Sequence, residues 1–273
     1  MRALVTGGNG HLGYNLVLAL LAAGHTVRAS VRSLSDEAKT APLRRLEGVE
    51  LVQAQMDRPE QLRAAMDGVQ VLFHAAAVYS VAEPERNQDI LDSSLKGTEA
   101  ALRAAADARV DKVILTSSVV TLPLTAPGAA PSTEADWTDD TRIVYFRAKK
   151  QAEQLAWRLA DELKLNLATV LPGSIGGPGF FRNTPTLDQL EAMMGGAFRM
   201  GVPDLNMLYI DVRDVAWLHL LAAERDGQGR FIAVGDEAPT WRRIMEVMHS
   251  IDPRVKPALI TLPSFTKPTM VFF

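Results

Sequence analysis

Cysteine is absent from the 273 residues, which excludes disulfides, thiolate metal sites and a cysteine nucleophile. Long hydrophobic runs are missing as well: no uninterrupted apolar stretch reaches the roughly 18 residues that a membrane span needs. Neither sign of charge is in excess. Lysine and arginine number 29 against 32 acidic residues, a formal net charge of −3, so neither nucleic acid nor a membrane surface is an expected partner. Histidine is sparse, and His11, His25, His74, His219 and His249 show no metal-ligand spacing; no metal is expected. The first apolar strand begins at Arg2 and leaves no room for a signal peptide, so the expected location is cytoplasmic. What is present in quantity is hydrophobic residues, 47% of the chain, the content of a globular protein with a real core. The length suits one α/β domain with an appended lobe.

The most informative stretch is Arg2-Ala-Leu-Val-Thr-Gly-Gly-Asn-Gly-His-Leu-Gly13. A short apolar strand runs into Gly7, Gly10 and Gly13, and an apolar helical run from Leu12 to Leu21 opens directly behind them. Strand, glycine turn and helix make the G-x-x-G-x-x-G form of the dinucleotide-binding fingerprint. One glycine serves the tight turn, one the approach of backbone N–H groups to a pyrophosphate, and one the close packing of helix on strand. Phosphates then sit on the helix N-terminus, where unpaired N–H groups and the dipole favour an anion.

Further strands are expected at His25–Arg32, Val49–Ala54, Val69–Ala77, Val110–Thr116, Leu167–Leu171 and Arg230–Val234. They alternate with helices at Pro59–Met66, Ile90–Ala108 and Arg142–Leu163, the pattern of right-handed βαβ crossovers and a parallel sheet. Pro123–Pro131 reads as a loop, and Pro172–Pro178 as a break in regular structure. The expected fold is α/β, a Rossmann-type doubly wound parallel sheet with a small C-terminal substrate lobe. Residues 1–178 form the dinucleotide-binding domain, with 205–236 returning to it; 179–204 and 237–273 form the lobe, with helices around Leu187–Phe198 and Trp241–Ser250. Asp211 and Asp214, ahead of an apolar helix, read as N-terminal caps rather than a metal pair.

The end of the second strand discriminates between the two nicotinamide dinucleotides. An acidic residue there hydrogen-bonds a ribose 2′-OH, whereas an arginine accommodates a 2′-phosphate. Arg32 occupies that window, and no Asp or Glu occurs between Gly13 and Asp36. A guanidinium binds phosphate bidentately, and Lys39 reaches the same phosphate if its loop folds back. NADP is therefore expected over NAD. Tyr145 and Lys149 stand four residues apart on one helix face. A free phenol, with a pKa near 10, is a poor acid or base at neutral pH, but an adjacent ammonium favours the phenolate and brings tyrosine into acid–base range. Ser118, at a strand C-terminus on the side of the glycine loop, is placed to hydrogen-bond a substrate oxygen.

These pieces together resemble the extended short-chain dehydrogenases/reductases, within them the dihydroflavonol-reductase-like branch. The matching motifs are Thr6–Gly13, Val27–Arg32, Phe73–Ala77, Gly97-Thr98, Leu115–Ser118, Tyr145–Lys149, Pro172–Ser174 and Tyr209–Val215. The resemblance implies Tyr145 as general acid/base, Lys149 as its tuning partner on the nicotinamide ribose, and Ser118 rather than Ser117 as the group orienting a carbonyl. It implies cofactor contacts at Gly7, Gly10, His11, Leu12, Gly13, Gln55, Met56, Ala75, Ala76, Ala77, Pro172 and Ser174, besides Arg32 and Lys39 for the 2′-phosphate. His74 is a strand-end residue near the cofactor, and Trp137 a loop anchor by the site entrance. Where relatives carry aspartate for adenine this chain has Gln55 or Asp57, and Ser94 replaces an asparagine common before Gly97-Thr98. Relatives also commonly run several tens of residues beyond Phe273, so the expected lobe is either shortened or supplemented by a partner subunit.

The leading expectation is an NADPH-dependent carbonyl reductase acting on a small, moderately hydrophobic ketone or aldehyde. One rival is a nucleotide-sugar epimerase or dehydratase holding NAD; another is a non-enzymatic NADP-sensing regulator. A homodimer through Ile90–Ala108 and Arg142–Leu163 follows from the resemblance.

Overall fold

The computed structural model describes residues 1–76, 87–125, 128–179, 184–225 and 227–263. Its centre is a seven-stranded sheet built from β1 (Arg2–Thr6), β2 (Thr26–Val31), β3 (Val49–Gln53), β4 (Val71–His74), β5 (Lys112–Thr116), β6 (Leu167–Pro172) and β10 (Gly229–Ala233). The order is β10-β6-β5-β4-β1-β2-β3, and every pairing within it is parallel. The strand order reverses at β1, between β2 and β4, so the crevice outside the carboxyl ends of β1 and β4 is where such sheets bind ligands.

Successive strand residues point to opposite faces, and both faces are buried. Ala3 and Val5, Phe73, Ile114, and Ala168 and Val170 join one core with Leu16, Val17, Leu20, Ala216 and Leu220. The last five belong to α1 (His11–Ala22) and α7 (Val212–Glu224). Leu4, Leu72, Val113, Leu115 and Leu167 join a second core on the other face. It is covered by α3 (Pro59–Ala65), α4 (Asn87–Asp107) and α5 (Val144–Leu163). Ala101, Ala104, Ala105, Ala156 and Ala160 lie in that core; small side chains there let α4 and α5 approach each other and the sheet closely. This double covering is why the strands read as apolar runs without alternation.

A third cluster gathers Met193, Val202, Trp241, Met245 and Ala258. It is supplied by α6 (Pro185–Met194), α8 (Trp241–Ile251) and the short parallel pair β8 (Val202–Pro203) and β11 (Thr261–Leu262). Thr184 and Thr240 cap the two helices, accepting from the backbone N–H groups of Leu187 and Arg243.

One element was not foreseen and one expectation needs correction. Residues between Arg32 and Val49 hold α2 (Glu37–Arg44), which the hydrophobic pattern did not reveal because its exposed face carries charge and Pro42 interrupts it. Asp36 caps it, accepting from the Lys39 N–H. Pro172–Pro178 is not a break: β6 runs through Pro172, and β7 (Ser174–Gly176) pairs in parallel with β9 (Tyr209–Asp211). The partner strand lies about 35 residues away, and local glycine and proline content carries no sign of it. Asp211 does cap α7, accepting from the Arg213 N–H, with Asp214 in the first turn. Among the described residues no helix is long and apolar enough to cross a membrane.

Candidate active site

A cleft of about 690 Å³ lies along the carboxyl ends of the central strands, within the size range of small-molecule sites. Its floor at one end is the glycine turn. Gly7 has φ +68° and accepts from the Gly10 N–H across the turn; a β-carbon there would stand 3.0 Å from the Ala76 backbone. A β-carbon on Gly13 would stand 2.1 Å from the Gly7 carbonyl oxygen, so the first turn of α1 is pressed against the loop. The N–H groups of that first turn have no intrahelical carbonyl to bind, and the turn presents Gly7, Asn9 and Gly10 to the cleft.

Thr6 ties this loop to the neighbouring strand. Its hydroxyl accepts from the Ala76 N–H at 3.2 Å and shares a hydrogen bond with His74 Nδ1 at 3.0 Å. Burial, and then the nearby Lys149, push the His74 imidazole down to about 4; it is uncharged at neutral pH. His74, Ala75 and Ala76 line the cleft; Ala77 lies outside the described residues. The far end is lined by Ser30, Val31, Arg32, Ala54, Gln55, Met56 and Asp57 from β2 and the β3 end, facing Ser93, Ser94, Lys96, Gly97 and Thr98 of α4. The Ser94 hydroxyl donates to the Ile90 carbonyl of its own helix. Arg28, in the same strand as Arg32, is a structural residue: its guanidinium donates to the Ala65 and Asp67 carbonyls and pairs with Glu50 at 2.9 Å.

The third wall is the end of β5 against α5. Lys149 donates to the Thr116 carbonyl at 3.2 Å, and burial lowers its ammonium to about 8 while Glu153 opposes the fall. The Ser117 hydroxyl donates to Glu153 Oε2 at 2.6 Å. Ser118 is buried; its hydroxyl donates to the Pro172 carbonyl and accepts from the Val120 N–H, each at 3.4 Å. Both are long, weak hydrogen bonds. Ser117 is thus committed to a carboxylate, and Ser118 is held loosely. Tyr145, partly buried, lies one turn before Lys149 on α5; neither Tyr145 nor Ser118 is in the cleft lining formed by the described residues.

The remaining expected residues stand as follows. Lys39 pairs with Asp36 on the exposed start of α2 and is not in the lining formed by the described residues. The His11 ring is buried at the start of α1 and faces the carbonyls of Gly177 and Pro178 at 3.1 and 3.2 Å. Two carbonyl partners require that Nε2 carry the proton; burial lowers the ring's pKa. Leu12 follows in the same turn. Pro172 ends β6, and Ser174 opens β7, its N–H donating to the Leu208 carbonyl. Trp137 anchors its loop by stacking under Arg230, 3.8 Å from the guanidinium.

Sequence reasoning missed Glu153, Ser30 and Lys96. Only Glu153 left a readable sign: Tyr145, Lys149 and Glu153 recur every fourth residue, and an acidic residue at that third position interrupts a face otherwise made of Ala148, Ala152, Ala156 and Leu159.

Comparison with known proteins adds four findings. A family model described as the 3-beta hydroxysteroid dehydrogenase/isomerase family matches residues 4–229. Tetraketide alpha-pyrone reductase 2 of Arabidopsis thaliana is 30% identical over 262 residues, 90% of this chain and 81% of the relative. Cinnamoyl-CoA reductase 1 of the same plant is 31% identical over 267 residues, 91% and 74% of the two chains. Among solved structures, yeast methylglyoxal/isovaleraldehyde reductase in its complex with NADPH superposes with a TM-score of 0.85, covering 100% of this chain and 93% of the yeast one at 20% identity. That last likeness is one of fold.

Proposed function

We propose that this chain, which belongs to the 3-beta hydroxysteroid dehydrogenase/isomerase family and resembles its dihydroflavonol-reductase-like members, is an NADPH-dependent carbonyl reductase. The observation that carries the reading is the convergence on one cleft of a glycine cradle, an arginine at the β2 end, and a lysine on α5 held to the β5 end. The cradle fits a pyrophosphate, because the turn folds tightly against Ala76 and the first turn of α1 only where Gly7 and Gly13 lack a β-carbon. It faces the cleft through Gly7, Asn9 and Gly10, beside the helix N-terminus, whose N–H groups favour an anion. Arg32 at the β2 end supplies the cation for a 2′-phosphate, and its positive charge speaks against a sugar epimerase that holds NAD.

When bound, NADPH supplies the hydride to the carbonyl carbon. This chain's residues do the rest. Ser118, with only long hydrogen bonds of its own, turns its hydroxyl toward the carbonyl oxygen and orients it. Tyr145 donates a proton to that oxygen as charge develops on it. Lys149, protonated through the neutral range because its ammonium titrates at about 8, favours loss of that proton by stabilising the phenolate. His74, held uncharged by burial, adds no competing cation.

The substrate is a small, moderately hydrophobic ketone or aldehyde. By the family pattern, segments 119–131 and 200–208 would line the substrate side; Leu124 and Leu208, exposed there, support an apolar body beside the carbonyl. Two plant relatives are named for a tetraketide alpha-pyrone and for cinnamoyl-CoA; both names imply a carbonyl on a carbon framework, the second as a thioester rather than a ketone or aldehyde. A panel of such carbonyl compounds assayed by NADPH oxidation tests the reading. Tyr145→Phe should lower kcat by about 10²-fold or more, the range of a lost general acid, with NADPH affinity nearly unchanged. A variant that turns over like the parent refutes the mechanism, and tightly retained NAD without net NADPH consumption identifies an epimerase instead.

A further inference from the structure

The least expected feature near the cleft is a largely buried ion pair behind it. Glu153 on α5 is 1% exposed and Arg230 on β10 is 7% exposed, with Arg230 Nε donating to Glu153 Oε1 at 2.9 Å. Burying two charges costs more than an ion pair ordinarily returns unless every remaining lone pair and proton is satisfied. Here they are. Glu153 also accepts from the Ser117 and Thr169 hydroxyls at 2.6 and 2.8 Å and, more weakly, from the Trp157 indole. Arg230 donates further to the carbonyls of Glu134 and Asp136 and to the Thr121 hydroxyl, and stacks on Trp137. One face of the pair belongs to the cleft wall, where Glu153 stands with Lys149 and Ser117. The other opens on an outer groove lined by Trp137, Trp157 and Arg230.

The consequence is that two consecutive residues at the β5 end are pinned from α5 and α7. Thr116 accepts from Lys149 through its carbonyl. Its hydroxyl meets His219 Nε2 at 2.8 Å. Ser117 is bound by Glu153. Ser118 follows, leading into the turn Val119–Thr121 that Arg230 holds from below.

We propose that the Glu153–Arg230 pair is a positioning device for the reaction, with Glu153 as the counter-charge that keeps Lys149 an ammonium and Arg230 as the clamp that limits how much of that charge Lys149 receives. The inference rests on the reductase reading above for its catalytic meaning, but its physical content concerns Lys149 alone. Among the described residues, these groups surround Lys149. On its own helix they are Tyr145 and Glu153; on β4, the uncharged His74; on α7, the uncharged His219 behind Thr116; and on β10, Arg230 through Glu153. Lys96, Arg32 and Asp57 line the same cleft farther along. Glu153 is the anion nearest to Lys149 in sequence on that helix face and acts to raise its proton affinity, against burial.

The two halves of the pair then act on Lys149 with opposite sign, which a merely structural role would not do. In protein carrying ¹³C-labelled lysine, the Lys149 signal is assigned by its loss in Lys149→Arg, and its titration is followed in the cofactor-free protein. Glu153→Gln leaves a cation without its anion, and Lys149 should titrate about one pH unit lower, a tenfold loss of proton affinity. Arg230→Gln leaves the anion undiluted, and Lys149 should titrate higher by a similar amount. The alkaline limb of the turnover profile should follow in both variants. Should an unpaired buried charge unfold one of them, the double variant Glu153→Gln/Arg230→Gln, with neither charge, serves as the reference against which the remaining single variant reads the same sign. An unmoved Lys149 in Glu153→Gln, or shifts of one sign in both variants, overturns the inference. Expected shifts in a protein that reduces no carbonyl would leave it standing and refute the reductase reading instead.

Discussion

Arg32 and Lys39 show how far one residue's role depends on what already holds it. By sequence position both belong on a 2′-phosphate. Arg32 lines the cleft, whereas the Lys39 ammonium is paired with Asp36, an i,i+3 partner on an exposed helix start. Such a surface pair is weak, typically below about 1 kcal/mol, and a phosphate dianion competes with it readily. Arg32→Asp should therefore exchange attraction for repulsion. A hydrogen bond to a charged group contributes about 1.5–3 kcal/mol, so the ratio of kcat/KM for NADPH over NADH should fall by roughly 10- to 100-fold. An unchanged ratio would mean that other residues hold the 2′-phosphate. Ser117 and Ser118 differ in the same way. They are indistinguishable as neighbouring hydroxyls in the chain; a carboxylate 36 residues away occupies the first and leaves the second for other work.

At the scale of elements, the βα unit formed by β1, the glycine turn and α1 was legible almost residue for residue. Its determinants are local: a short apolar strand, three glycines at fixed spacing and an apolar helical run. Gly13→Ala tests how tightly that unit is built. Its methyl would fall 2.1 Å from the Gly7 carbonyl oxygen, a backbone atom that has no rotamer to yield. Alanine ordinarily favours a helix over glycine by about 1 kcal/mol, and here the sign should invert. Cofactor affinity measured by titration should drop at least tenfold and the thermal midpoint should fall; a variant more stable than the parent would mean that helix and loop are free to separate. The helix α2 and the strands β7 and β9 were not legible. The first lacks an apolar stripe, and the second pair exists only because distant segments meet.

For the whole molecule, the two covered faces of the sheet make acid stability a matter of buried histidines. His74 and His219 are fully buried, and burial pushes each down to about 4. His219 donates through Nδ1 to the Val215 carbonyl and so accepts from Thr116 at Nε2, a tautomer that leaves no place for a second proton. In the unfolded chain a histidine titrates near 6.5. Between about 6.5 and 4 the unfolded state therefore binds protons that the folded state refuses, and stability falls as pH falls through that window. From about pH 7 to about pH 5 the loss is roughly 2 kcal/mol per histidine, readable as a falling urea midpoint. His219→Gln, which preserves a donor and an acceptor, should remove about half of the slope due to the two rings. A slope identical to the parent's would place the acid sensitivity on the carboxylates instead.

The sequence by itself determined the α/β class, the glycine cradle, the arginine at the β2 end and the tyrosine–lysine spacing. Each of these is written within a stretch of a dozen residues or fewer, where spacing along the chain is spacing in space. The tertiary structure alone decided which hydroxyl of Ser117-Ser118 is engaged, what Lys39 is paired with, and that a carboxylate stands behind Lys149. Glu153 acquires its meaning from Arg230, 77 residues further along, from Thr169 on the next strand, and from burial. Burial is the physical reason. The same glutamate on a solvated helix face would be one more surface charge; taken out of water with its partners satisfied, it becomes a fixed counter-charge at the strand end.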